Sequence, residues 1–337
     1  MDLEMASRRY RRFAEFEARG SSSCYESWAW GIASDPQLLS LIDRLPEQKR
    51  QPNLVFAAAR FLGVGEVLFP EFKDWVVRHW DALAQVVMTR TTQTNEVGRA
   101  AAFLPVLAQL TGPLALIEVG ASAGLCLYPD LFSYRYDDRA VLHPVGGTSG
   151  VTLRCVTTGE PPIPIRLPEV VWRAGVDLNP LDVNDADQMR WLECLVWPGQ
   201  PQRLQRLRAA VAVARSRPVS VVSGDLNATV AELVAAAPDG ATVVVFHSAV
   251  LAYLSVDERI RFEQTVRALP CHWLSNEGCG VIESVAEQLP VPAGDTPGRF
   301  VVALDGTPLG YAGAHGQSLE WIGHRAMCAP HQAWISD

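Results

Sequence analysis

Residues 116–124 read Leu-Ile-Glu-Val-Gly-Ala-Ser-Ala-Gly: an apolar run, a carboxylate near its end, then small residues in alternation. Glu118 offers an acid, Ser122 a hydroxyl, and Gly120 and Gly124 the torsional freedom for a tight turn that another group approaches closely. A strand that ends this way and opens a helix presents free N–H groups to a crevice at the carboxyl end of a parallel sheet. The sequence therefore predicts strand, turn and helix here, with a ligand site at the turn.

Three chemistries use such a turn. A dinucleotide site wants glycines at the first, third and sixth places of G-x-G-x-x-G, and here the third is Ser122 and the sixth Leu125. An S-adenosylmethionine (SAM) site uses the same elements with an acidic residue just before the glycines, as Glu118 is. Gly120-Ala-Ser122-Ala-Gly124 also satisfies the G-x-S-x-G elbow of a serine hydrolase. No run of oxyanion glycines precedes it, and few strands do either.

Other chemistry-bearing residues fall where later strands should end. Asp177, in Gly-Val-Asp-Leu-Asn-Pro, stands where a doubly wound site places a carboxylate for ribose hydroxyls. Its offset from Glu118 is 177 − 118 = 59 positions, against the usual offset of about 20, so an insertion must separate the two strands. Asp225, after Gly224, could receive an adenine amino group while Leu226 packs on the ring. His247, in Val-Phe-His-Ser, has the titration range of a general base. Upstream, Asn95, Glu96 and Arg99 open an apolar helix, and Arg99 could hold a carboxylate in a two-pronged contact. Glu277 and His315 are further crevice candidates. Cys271, His272 and Cys279 lack the spacing of a zinc site, and no metal motif stands out.

These side chains need a scaffold. From Leu114 onward, candidate strands at 114–119, 170–177, 219–223, 241–247, 272–276, 300–304 and 318–322 alternate with helical stretches at 185–196, 201–215, 228–236 and 255–269, the last opened by a Ser255/Glu258 capping box. This predicts an α/β fold: a doubly wound, mostly parallel, seven-stranded Rossmann-like sheet over residues 113–337. The last two strands should form a hairpin at one edge, turning near Asp305-Gly306. Residues 133–168, rich in Pro and Gly, read as an insertion that could be a lid or a partner surface. Residues 1–112 carry apolar positions at helical spacing and read as a helical cap. At 337 residues, 48% hydrophobic and 20% charged, the chain has the composition of a soluble globular protein. It has no apolar run of membrane-spanning length and no secretory leader, so the expectation is a cytoplasmic protein with reduced thiols. The net charge of −8 argues against nucleic acid as the main partner.

The strand ends in order, Glu118/Gly120, Asp177, Gly224/Asp225 and His247, resemble a class I SAM-dependent methyltransferase. The longer strings Thr-Gln-Thr-Asn-Glu-Val-Gly-Arg, Glu-Val-Gly-Ala-Ser-Ala-Gly-Leu and Gly-Val-Asp-Leu-Asn-Pro-Leu-Asp resemble the actinobacterial DUF2332 family over nearly the whole chain. The resemblance implies a methyltransferase-like fold. It departs from methyltransferases at Ser122, where their middle glycine commonly stands. The implied activity is SAM-dependent methylation of a small molecule. Glu118, Gly120, Ser122, Gly124, Asp177, Asp225 and Leu226 would hold SAM, His247 would act as base, and Asn95, Glu96 and Arg99 would shape the substrate pocket. Three alternatives remain open: a SAM-independent displacement or elimination with Arg99 holding an anion, a serine hydrolase using Ser122, and a non-catalytic subunit of a homo- or hetero-oligomer.

Overall fold

Helix-start signals recur through the first ninety residues: Ser22 caps one helix, Asp35 caps another that opens on Pro36, and Pro52 and Pro70 stand in the first turns of two more. In the computed structural model, which describes residues 3–93, 95–292, 294, 296 and 298–323, that pattern becomes α1 (Leu3–Arg12), α2 (Ser23–Ala33), α3 (Pro36–Asp43), α4 (Pro52–Phe61), α5 (Phe69–Arg78) and α6 (Trp80–Thr89). The remaining helices are α7 (Ala100–Leu107), α8 (Ala186–Leu195), α9 (Pro201–Ser216), α10 (Leu226–Ala235), α11 (Val256–Ala268) and α12 (Glu283–Ala286). The chain divides into two units, residues 1–94 with 182–208, and residues 95–181 with 209–337. Residues 95–112 thus group with the sheet, and α8 groups with the N-terminal helices.

The first unit packs around Phe56 of α4, whose ring meets those of Tyr10, Phe13, Tyr25, Trp28 and Phe72. Trp28 stacks on Phe72 at 4.0 Å and gives its indole N–H to the Val67 carbonyl. Asp35 caps α3 through the Leu38 N–H and pairs with Lys73 at 2.5 Å. Trp191 of α8 joins the same core.

The second unit holds the sheet: β1 (Leu114–Val119), β2 (Ser133–Tyr136), β3 (Ala140–Leu142), β4 (Thr152–Thr158), β5 (Val170–Asp177), β6 (Ser220–Ser223), β7 (Thr242–Ser248), β8 (His272–Gly278), β9 (Arg299–Leu304), β10 (Thr307–Gly313) and β11 (Ser318–Trp321). Their order is β3-β2-β4-β11-β10-β9-β8-β7-β1-β5-β6. The fold is α/β, yet among the described residues the sheet has eleven strands rather than seven and is mixed, with six parallel and four antiparallel pairings. β6, β5, β1, β7 and β8 run parallel, and β8 to β11 form an antiparallel meander. The turn at Asp305-Gly306 forms, but it joins β9 to β10, a strand whose Pro308 and glycines hid it. That hairpin is interior, because the 133–168 segment supplies β2, β3 and β4, which continue the sheet past β11.

The helix expected after Gly124 is also absent. Two three-residue 3₁₀ turns, Leu125–Leu127 and Pro129–Leu131, stand in its place, because Pro129 and the β-forming Phe132-Ser-Tyr that follows leave no room for a longer helix.

α7 is buried along its whole length and packs against β4 and β9. Its Pro105 has no N–H for the carbonyl of Ala101 four residues back. The Tyr136 hydroxyl of β2 donates to that carbonyl at 2.7 Å. Among the described residues no helix is long and apolar enough to cross a membrane, six of the seven cysteines are described and free, and no group of three His, Cys, Asp or Glu is placed to hold a metal ion.

Candidate functional site

The chain leaves β1 through a turn in which three alternate positions are left-handed. Gly120, Ser122 and Gly124 have φ of 71°, 52° and 67°. A non-glycine residue at such an angle is uncommon and must be held by its surroundings. Ser122 is held on all sides: its N–H donates to Asp177 Oδ2 at 2.8 Å, its hydroxyl accepts from the Asn95 side-chain amide at 2.5 Å, and its carbonyl accepts from the Leu181 N–H at 3.0 Å. Asn95 closes the loop by accepting the Ala123 N–H at 3.1 Å. Asn95, Ser122 and Asp177, far apart in sequence, therefore make one hydrogen-bonded turn.

Glu118 lies beneath it, 7% exposed. Burial, with the Asp177 charge adding to it, pushes its carboxyl well above the usual range, against a Cys126 hydrogen bond and the Arg99 charge that favour ionisation. Its Oε2 is buried with no hydrogen-bond partner. Burial likewise pushes the Cys126 thiol up. A carboxyl pushed toward its protonated form, with one oxygen unfilled, is a latent donor.

Arg99, 5% exposed, reaches across two connections. Nε donates to the Ala314 carbonyl at 2.9 Å, Nη1 to the Ser248 carbonyl at 3.0 Å, and the guanidinium lies 5.3 Å from the centre of the Phe300 ring. The β10–β11 turn rests on residues 96–99 so closely that a Cβ on Gly316 would lie 2.0 Å from the Gly98 carbonyl oxygen, and one on Gly98 2.3 Å from that of His315. Glu96 accepts the Gly98 N–H at 3.0 Å and stands 3.8 Å from His315 Nδ1. Asn95, Glu96, Arg99, Glu118, Ser122, Asp177 and His315 thus gather at the carboxyl end of β1, β5 and β7.

Other candidates are placed elsewhere. His247 is fully buried, and both ring nitrogens are engaged. The Trp273 indole, a donor only, gives its N–H to Nε2 at 2.9 Å, which leaves Nδ1 to donate to Glu277 Oε1 at 2.7 Å. That carboxylate oxygen also accepts the Val250 and Leu251 N–H groups, so the pair fixes the turn after β7. Asp225 is the N-cap of α10, accepting the Asn227 and Ala228 N–H groups, and Leu226 is in the core.

Two of the residues expected to hold SAM are engaged by the chain's own groups. A Cβ on Gly120 would lie 2.4 Å from Val250 Cγ2, so the space a glycine leaves for a ligand holds a valine methyl. Each Asp177 oxygen accepts one backbone N–H, from Ser122 and from Asn179. Ser122 Oγ contacts the Asn95 amide and no imidazole or carboxylate among the described residues, so a hydrolytic elbow lacks its base. Cys126 and Val250, which shape this centre, carry no sequence signal: each sits in an apolar run without motif spacing, and only the folded turn brings them to Glu118 and Gly120.

A family model described as an uncharacterized protein conserved in bacteria, DUF2332, matches residues 7–321. Comparison with the curated proteins and with the solved structures yields no match.

Proposed function

The chain belongs to the DUF2332 family, and from that premise we propose that it is a small-molecule enzyme on a methyltransferase-like Rossmann core, β6-β5-β1-β7-β8, that works without SAM. The reaction class is displacement or elimination with loss of an anionic leaving group, such as closure of a three-membered ring. The observation that carries this reading is Glu118: a buried acid with an unfilled oxygen, in the field of Arg99, beneath a glycine turn filled by the chain's own groups. Neighbouring positive charge and a neutral proton donor are what a departing anion needs, and neither requires a bound group.

The step balances on this chain's residues. The substrate's nucleophile forms the new bond to carbon with its electron pair, and the carbon–oxygen bond breaks. The leaving oxygen takes the Glu118 proton, and the carboxylate left behind accepts the proton the nucleophile sheds. Arg99 supplies fixed positive potential and ties the hairpin over the site.

The test has two arms. Calorimetric titration with SAM and S-adenosylhomocysteine should give no binding, and micromolar affinity would restore a methyltransferase reading. With 2-aminoethyl sulfate as the simplest probe, sulfate release should exceed the uncatalysed rate and fall about a hundredfold in Glu118→Gln, the usual scale of a lost acid. Equal rates in wild type and variant would overturn the role of Glu118.

A further inference from the structure

Residues 133–168 serve a second purpose besides extending the sheet. Val141–Gly146 and Ile165–Pro168 wall a cavity of about 1090 Å³, closed on another side by Pro113, just before β1, and Val170, the first residue of β5. The cavity therefore lies at the amino end of these parallel strands, whereas Ser122 and Asp177 lie at the carboxyl end. Val141 belongs to β3, far from β1 in strand order, so the 133–168 segment reaches back to the amino ends of β1 and β5. The volume is slightly above that of typical sites for a drug-sized molecule, roughly 300–1,000 Å³, and is ample for one.

Three kinds of group line it. Val141, Val145 and Ile165 are 52%, 110% and 98% exposed, an apolar rim that solvent wets unless something covers it. Arg166 and Arg217 bring positive charge. Asp130 holds Arg173 at 2.5 Å through Oδ2, while its Oδ1 is buried with no hydrogen-bond partner. A buried acceptor left unfilled is unfavourable, and a donor arriving beside Asp130, which lines the cavity, would relieve that. With Asp130 already paired, the remaining formal charges are Arg166 and Arg217 against Glu169, which selects an anion.

We propose that this cavity is a second ligand site, separate from the Glu118 centre, for an amphipathic organic anion: an apolar body against Val141, Val145 and Ile165, an acidic group at Arg166 and Arg217, and a hydroxyl or N–H donor to Asp130 Oδ1. It does not depend on the reaction assigned above.

The probe is 8-anilinonaphthalene-1-sulfonate, which joins an aromatic body, a sulfonate and an aryl N–H. Titrated into the full chain and followed by fluorescence, it should bind saturably at one site. Arg217→Glu and Ile165→Glu, both at exposed positions, should each weaken it by about tenfold or more, while Ser122→Ala binds as wild type does. Unchanged thermal midpoints establish that the variants are folded. Absence of saturable binding, or equal affinity in folded Arg217→Glu and Ile165→Glu, would overturn the site.

Discussion

A single hydroxyl shows how a buried helix tolerates an internal proline. Pro105 removes one donor from α7, and Tyr136 replaces it at 2.7 Å from the Ala101 oxygen. Tyr136→Phe should therefore cost about 1–3 kcal/mol, the penalty of a buried carbonyl left without a donor, read as a lower urea midpoint with an unchanged slope. In a Pro105→Ala background, where the backbone N–H returns, the same change should cost less, so the two effects are non-additive. Neither residue announces this in sequence. Pro105 reads as a break in an apolar helix and Tyr136 as one more strand aromatic, and their pairing exists only once β2 lies beside α7. The same limit applies at the Glu118 centre. Glu118, Ser122, Asp177 and the Asn95–Arg99 block were legible as polar residues at strand and helix ends, because apolar periodicity marks where elements stop. Which oxygens would be filled by backbone N–H groups was not, since that depends on turn torsions.

At the scale of elements, a residue expected at a ligand can also serve as a cap. Asp225 follows a strand and a glycine, which suits an adenine contact and equally suits the first turn of a helix. The structure uses it for the latter, with its carboxylate on two N–H groups of α10. Asp225→Ala should cost about 1 kcal/mol in chemical denaturation, as N-cap losses do, and should leave sulfate release from 2-aminoethyl sulfate unchanged. A loss of turnover without a loss of stability would return Asp225 to the site. Elsewhere local rules sufficed: the Ser255/Glu258 capping box forms as its spacing implies. The strands β1 and β5 run over the residues their apolar runs mark. β10 escaped notice because Pro308, Gly310 and Gly313 dilute its alternation, and its place between β9 and β11 is a tertiary fact. The helix after Gly124 failed for a local reason, Pro129, that the glycine pattern overshadowed.

For the whole molecule, one ion pair ties stability to pH. His272, at the start of β8, bonds Asp305 at 2.8 Å across the β9–β10 turn, and that hydrogen bond raises its pKa. Because the folded value lies above the unfolded value of about 6.5, the stabilisation is complete below the unfolded value. It is lost as pH rises through the folded one. Urea midpoints measured through that window should fall with rising pH in the wild type and fall less in His272→Gln. Parallel curves would show that the pair contributes nothing to the linkage.

The position of β4 has a consequence for how the chain is made. β4 is flanked by β2, nearby in sequence, and by β11, where Ser318 pairs with Val156. On the ribosome, β2 to β4 and α7 emerge long before β9 and β11 exist to cover them. Until about residue 321 has cleared the exit tunnel, one edge of β4 and one side of α7 stay open to other chains. Contacts of such long sequence separation form late and slowly. The nascent chain therefore passes through a stage that invites edge-to-edge association.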